Sequence, residues 1–327
     1  MQKIYLIILL LLFISCNNMP DPAGEYNEII IISSKKDKPL VEPVLSGLFS
    51  NSIHTPHEEL EFNLKFRNPW ELNDVKEYGN IIITALDFPY DSTGDLLIKR
   101  FLKKQDSSSP LINMANLYVN NQTFCIVHAL DAIQFDELIK KNKNWILNEF
   151  RISFENRMIK HLFKNGKNQE LSTKIQNIIG YTVDLQPDFK LIKSDSLLSF
   201  IWVGRGYPYR WLLFHKGRKD NYTHSRLSWE QLERDLVLYI PEIEISRYFQ
   251  KNEIIIQKNK EIPIMRGIYE HSESESGGPF FVYIFETEQP NEVILISGFV
   301  NHPGHEKLLL LKQLEIMAKT LYNGEII

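Results

Sequence analysis

Two segments of the chain read H-x-x-H-E, His54-Thr55-Pro56-His57-Glu58 and His302-Pro303-Gly304-His305-Glu306. Two imidazoles and a carboxylate are ligand types that zinc accepts. In the helical H-E-x-x-H site the histidines stand four apart on one face, with the glutamate between them as base. Here they stand three apart, and the intervening proline and glycine put each group on a loop entering a helix or strand. A glutamate in a first helical turn also serves the helix dipole. That capping role is the expectation for both segments, and neither is assigned a metal, a cofactor or a catalytic part.

Arg205, Tyr207, Tyr209, Arg210, Trp211, His215, Lys216, Arg218 and Lys219 form a basic stretch rich in aromatics. Rings beside guanidinium groups stack sugars or bases, and they grip anionic headgroups. Alternating aromatics are also what strands carry, with the charges on the wet face. If the protein has a binding surface, Arg205, Tyr207, Tyr209 and Arg210 are the first place for it. A second candidate is Arg266-Gly267-Ile268-Tyr269-Glu270 followed by Gly277-Gly278-Pro279. Arg266 and Glu270 are an even number apart, which puts them on one face of a strand as an ion pair or a polar site. Gly277 and Gly278 allow close backbone approach, and Pro279 sets the path into a strand, so a purely structural hairpin is the alternative.

Several chemistries lack their sequence signature. There is no G-x-S-x-G elbow, no P-loop and no C-x-x-C, and Gly204-Arg205-Gly206 lacks the third glycine of a dinucleotide fingerprint. A net charge of -4 gives no electrostatic reason to expect nucleic acid.

The first sixteen residues carry an address. Lys3 supplies one positive charge, Ile4 to Ile14 is apolar, and Ser15-Cys16 follows. The apolar run is too short for a bilayer, which needs about 20 residues, and its parts are those of a secretory signal. Leu12-Phe13-Ile14-Ser15-Cys16 resembles the lipobox of bacterial lipoproteins. The resemblance implies cleavage before Cys16 and lipidation of its thiol, with two or more acyl chains, palmitate among them, giving stable membrane anchoring. The expected organisation is a signal peptide at 1–15 and a lipidated, flexible tether at 16–25. Subdomains at 26–180 and 181–327 follow, and the length suits two bodies. The remaining cysteine, Cys125, lies in an apolar strand pattern and reads as a small buried hydrophobe.

Apolar periodicity supplies the elements. Residues 26–32, 78–85 and 122–129 read as buried strands, 60–66 alternates, and 40–49 and 96–102 read as short helices. This β-α-β-β-α-β order suits a ferredoxin-like sandwich. Residues 131–180 read as helical, with Asp131 as N-cap, Phe150, Phe154, Met158 and Leu162 on one stripe, and Gly166 and Gly180 as stops. In the second half, strand pairs at 198–203 with 210–215 and 280–285 with 292–300 each precede a helix, at 229–239 and 305–321. With one more strand at 262–270, that reads as a repeated ββα unit. The fold class is α+β, with antiparallel or mixed sheets and helices packed on one face.

The order Arg266-Gly267, Gly277-Gly278-Pro279-Phe280, Gly298-Phe299-Val300, Pro303, Lys307 and Leu314-Glu315 is similar to a lipoprotein family of the Bacteroidota, domain of unknown function 4837. The resemblance implies envelope localisation and an α+β body, and it supplies no activity and no catalytic residues. The functional expectation is a non-enzymatic envelope lipoprotein, held by its lipid at the periplasmic side of the outer membrane, that binds an envelope protein or glycan. The rival expectations are a hydrolase or transferase on envelope glycans or lipids, and a carrier of lipid or another small molecule.

Overall fold

Four consecutive isoleucines, Ile29–Ile32, are each wholly buried. A strand apolar on both faces needs cover on both, and parallel sheets provide it. In the computed structural model, which describes residues 19–102, 109–222, 225–257, 259–272 and 276–323, this run is the second strand of such a sheet. The expected signal segment and Cys16 lie outside the described residues. The chain divides into two compact units, the first comprising the described residues up to Phe49 together with Phe62–Phe154, the second Ser50–Glu61 together with Glu155–Ile327. The boundary at 180 expected from sequence therefore falls inside the second unit.

The chain runs β1 (Glu28–Ile32), α1 (Lys38–Leu48), β2 (Ser52–His54), β3 (Glu58–Leu60), β4 (Asn63–Arg67), α2 (Leu72–Val75), β5 (Asn80–Leu86), α3 (Ser92–Leu102), β6 (Leu111–Ala115), β7 (Thr123–Ala129) and α4 (Ala132–Leu162). In the first unit the sheet order is β4-β1-β5-β7-β6. β1 runs parallel to β4 and β5, β5 runs parallel to β7, and only β6 is antiparallel. The ferredoxin-like order is thereby corrected. Helices between β1, β4 and β5 act as crossovers, so the buried runs pair in parallel. One face packs Ile30, Ile32, Ile81 and Ile83 against Leu97, Ile98 and Phe101 of α3. Phe49, Phe62, Phe150 and Phe154 meet edge-on elsewhere in this unit.

Part of the expected tether is docked here as well. The Ala23 N–H donates to Glu77 O at 2.8 Å and the Asn120 N–H to Pro20 O at 3.0 Å. Residues 16–25 are thus not a free leash throughout. Cys125 is buried and its thiol pKa is pushed up to about 12, chiefly by burial, which leaves it an inert packing group. Asp131 caps α4 as expected, accepting the Gln134 N–H at 2.9 Å.

The second unit continues with α5 (Gln169–Ile179), β8 (Tyr181–Thr182), β9 (Lys190–Asp195), β10 (Phe200–Arg205), β11 (Tyr209–Arg218), α6 (Ser225–Tyr239), β12 (Ile243–Gln257), β13 (Lys260–His271), β14 (Gly277–Glu286), β15 (Glu292–Asn301), α7 (Leu308–Ala318) and β16 (Tyr322–Asn323). Gly180 ends α5 in the left-handed region at φ 85°, the freedom its sequence position requires. Seven strands form one antiparallel sheet in the order β12-β13-β14-β15-β11-β10-β9. Alternate residues of the central strands enter different cores. On β15, Ile294, Ile296 and Val300 join Leu171 and Ile175 of α5 and Leu311, Leu314 and Met317 of α7. Val293, Leu295 and Phe299 join Trp229, Leu232 and Leu236 of α6.

The α+β class stands, and the single helical face is corrected: α5 and α7 cover one side of this sheet and α6 the other. Strands apolar on both faces require both covers. The same fact separates the two ββα segments, because the helices that follow them lie on opposite faces. Among the described residues no helix is long and apolar enough to cross a membrane.

Candidate functional site

The β10–β11 hairpin of the second unit turns through Tyr207 and Pro208 and presents its rings at one end of the sheet. Tyr207 is 58 % and Tyr209 44 % exposed. Their centroids stand 5.8 Å apart at 85°, and Tyr207 meets the His302 ring edge-on at 5.3 Å. His302 stacks on His305 at 4.4 Å and 18°. Tyr209 stacks on Trp211 at 5.9 Å, which in turn meets Trp202 and Tyr269. Parity explains this ladder, since Tyr209 and Trp211 point to one face of β11 while Arg210 and Leu212 point to the other. Gly204 makes room for it: a Cβ there would lie 2.3 Å from the Trp211 ring. The outer rings are therefore held in place by inner ones.

Of the residues singled out from sequence, Arg205, Tyr207, Tyr209 and Arg210 gather at this hairpin. Arg205 Nη1 is paired with Asp188 Oδ2 at 2.6 Å. Arg210 is buried and donates to the side chain of Gln313 on α7. Burial, and secondarily the neighbouring Arg205, lowers its pKa to about 10. Gly277 and Gly278 are structural: a Cβ on Gly278 would lie 1.9 Å from Val300 O, and one on Gly277 2.3 Å from Tyr269 O. There Tyr269 donates its hydroxyl to Val300 O at 3.2 Å.

Arg266 and Glu270 do not pair. Glu270 is exposed and lies opposite Gly277 and Glu244 in the sheet. Arg266 instead donates to Glu253 Oε2 at 2.8 Å and to Glu315 of α7, whose other oxygen takes Lys312 Nζ at 3.2 Å. Burial by itself would raise the Glu315 pKa, but the Arg266 and lysine charges override it and hold the carboxyl at about 2. Burial of Arg266 is likewise outweighed by Glu315, which raises the guanidinium pKa. The even spacing on β13 placed Arg266 on the correct face; a helix some fifty residues later supplied the partner.

Sequence reasoning missed two polar arrangements. His215, wholly buried on β11, stands 3.3 Å from Asp235 Oδ2 of α6, which also accepts the Tyr222 hydroxyl, while Gln231 donates to Oδ1 at 2.8 Å. Burial pushes the Asp235 pKa up, but these partners outweigh it and the net shift is downward. A cleft of about 620 Å³, lined by Tyr222, Met265, Ile284 and Val293 among others, opens nearby. No local pattern announces this cluster, because its members come from β11, α6 and the turn between them.

The other arrangement involves the β2–β3 hairpin. Its Glu59, not Glu58, receives the Lys307 N–H at 2.9 Å and the Leu308 N–H at 2.7 Å, so it caps α7 from nearly 250 residues away. Glu306 precedes the helix and is exposed. His54 stacks on Phe249 at 4.1 Å. Among the described residues no three His, Cys, Asp or Glu side chains converge as a metal would require. Glu59→Ala is expected to cost about 1–2 kcal/mol, the range for a lost N-cap with its dipole interaction. Denaturant unfolding checks this, with Glu58→Ala as the control that stays within about 0.5 kcal/mol.

Comparison with known proteins gives a family match over part of the chain. Over residues 168–320 the chain matches the family described as Domain of unknown function (DUF4837). The matched stretch lies wholly within the second unit and holds the aromatic hairpin, the Arg266–Glu315 network and all of α7. No curated protein matches the chain. Among solved structures, the Ran-binding protein Mog1p of Saccharomyces cerevisiae is 9 % identical with a TM-score of 0.30, over 44 % of this chain and 89 % of its own. A Bacteroides thetaiotaomicron structure is 9 % identical with a TM-score of 0.21, over 44 % of this chain and 45 % of its own.

Proposed function

We propose that the protein is a lipid-anchored accessory protein of the cell envelope that binds its partner through the aromatic end of the DUF4837 domain. The observation that carries the reading is the pair of exposed rings, Tyr209 stacked on Trp211 and Tyr207 set between Tyr209 and His302. Large exposed aromatics on a rigid support are the composition of a binding hot spot. Their fixed rotamers reduce the entropy that binding must overcome. The lipobox-like segment ending in Cys16 supports anchoring by acyl chains, and the periplasmic face of the outer membrane is the proposed location.

The test is in-cell crosslinking of the native protein followed by mass spectrometry, beside Cys16→Ser and Tyr209→Ala forms. Metabolic palmitate labelling should mark the native chain and not Cys16→Ser. A crosslinked component should be enriched with the native protein and depleted with both variants. Equal enrichment with Tyr209→Ala would remove the aromatic end from the proposal, and absence of palmitate from the native chain would remove the anchor.

A further inference from the structure

We infer that the ligand of this aromatic end is carbohydrate, with sugar rings laid on Tyr207 and Tyr209; the inference rests on the reading of that end as the binding face. A pyranose ring presents a face of C–H groups and a rim of hydroxyls. It therefore calls for a flat apolar platform bordered by groups that donate and accept hydrogen bonds. Tyr207 and Tyr209, 58 % and 44 % exposed with their planes at 85°, supply it as the two walls of a corner, so that a sugar lies flat on one ring and meets the other at its rim. Their own hydroxyls and the imidazoles of His302 and His305 supply the border, with His302 Nδ1 already on Glu306 O at 3.4 Å and its Nε2 left for a ligand. The platform is preformed, because Tyr209 stacks on Trp211 and Tyr207 is held between Tyr209 and His302.

The neighbouring charges argue against the other ligands that rings can stack. Grooves that hold nucleotides combine stacking with cations that follow the phosphates, and anionic headgroups need the same cations. Here the two arginines are engaged elsewhere. Arg205 is ion-paired with Asp188 at 2.6 Å, and Arg210 is buried against Gln313. A protein partner of ordinary affinity covers roughly 800 Å² on each side around a core poor in charge. This end offers two exposed rings, bordered at once by His302, His305, Glu306 and the Arg205–Asp188 pair. An uncharged ring with a hydroxyl rim matches both the size and the polarity.

The experiment titrates the full chain carrying Cys16→Ser with α- and β-linked tetrasaccharides of glucose, mannose, galactose and N-acetylglucosamine, following tryptophan fluorescence. Trp211 reports because it stacks directly beneath Tyr209. At least one saccharide should give a saturable change at millimolar concentration or below. Tyr207→Ala and Tyr209→Ala should each weaken it at least tenfold, and Tyr209→Phe, which keeps the ring and loses one border hydroxyl, should weaken it less than tenfold. Tyr248→Ala, at a residue 99 % exposed on β12, should leave it unchanged. Thermal melts of all variants separate lost binding from lost fold. No response to any saccharide, or a response that survives the double variant Tyr207→Ala/Tyr209→Ala, overturns the inference. So does binding of adenosine monophosphate or phosphatidylglycerol vesicles in place of sugar. A protein captured by crosslinking in a Tyr209-dependent way, with no saccharide bound, would overturn carbohydrate while leaving the binding face intact. Loss of both would overturn the two together.

Discussion

Glu315→Ala is expected to destabilise the second unit by about 3–5 kcal/mol, the cost of leaving a buried charge without its partner. Arg266 is mostly buried and would keep Glu253, which is itself partly exposed and shared with Lys251, and the neutral hydroxyl of Tyr283. The pair is a poor source of net stability even so, since burying both charges has already cost much of what their attraction returns. The double substitution Arg266→Met/Glu315→Leu should therefore recover most of the loss, to within about 1–2 kcal/mol of the native protein. Denaturant unfolding of the native chain, both single variants and the double variant checks this through the interaction energy of the cycle. A double variant no more stable than Glu315→Ala would show that the network contributes far more than its isosteric replacement.

The same carboxylate sets a pH dependence. Its folded pKa of about 2 lies below the ordinary value of 4.5, so the unfolded chain takes up the proton first. The stabilisation is fully present above about pH 4.5 and is lost as pH falls through 2. A depression of that size corresponds to roughly 3 kcal/mol by linkage. Unfolding free energy measured between pH 6 and 2 should fall more steeply for the native chain than for Arg266→Met/Glu315→Leu. Parallel curves would remove Glu315 as the cause.

Gly278→Ala is the second large effect. The new methyl would lie 1.9 Å from Val300 O, a backbone atom of the adjoining strand that cannot swing aside. Gly278 stands in the middle of the sheet, with β13 on one side and β15 on the other. Relief requires β14 and β15 to part, so the loss should reach about 3 kcal/mol, the upper end for overpacking. Gly206→Ala is the control: it lies in the turn of the β10–β11 hairpin with nothing within 4 Å of the added atom, and it should change stability by less than about 0.5 kcal/mol. A Gly278→Ala protein as stable as Gly206→Ala would mean that the strands separate without cost.

The elements of this fold are largely written in local apolar pattern. Runs such as Ile29–Ile32 and Glu292–Val300 announce strands, and the stripe Phe150, Phe154, Met158 and Leu162, all buried, announces the long helix α4. β12 escaped because its pattern is broken: the pairing shifts register between Ile245 and Gln250, and Tyr248, Ile254 and Ile256 point outward. β9 escaped because every residue but its last is exposed at the sheet edge. Neither strand carries the uninterrupted apolar signal by which the others are recognised.

At the candidate site the sequence alone determined which residue types gather on the hairpin, because Arg205, Tyr207, Tyr209 and Arg210 are neighbours in the chain and strand alternation is local. It also determined the lipobox-like segment, whose meaning depends on adjacent residues and on no fold. Only the tertiary structure decided that His302 joins Tyr207, that Arg210 turns inward to Gln313 while Tyr209 faces out, and that Arg266 finds Glu315 in place of Glu270. It alone decided that Glu59 closes the end of α7. The physical reason is one of range. Backbone periodicity fixes a side chain's direction within a few residues, whereas the partner that satisfies a buried charge or a helix end is whichever element packing brings within about 3 Å.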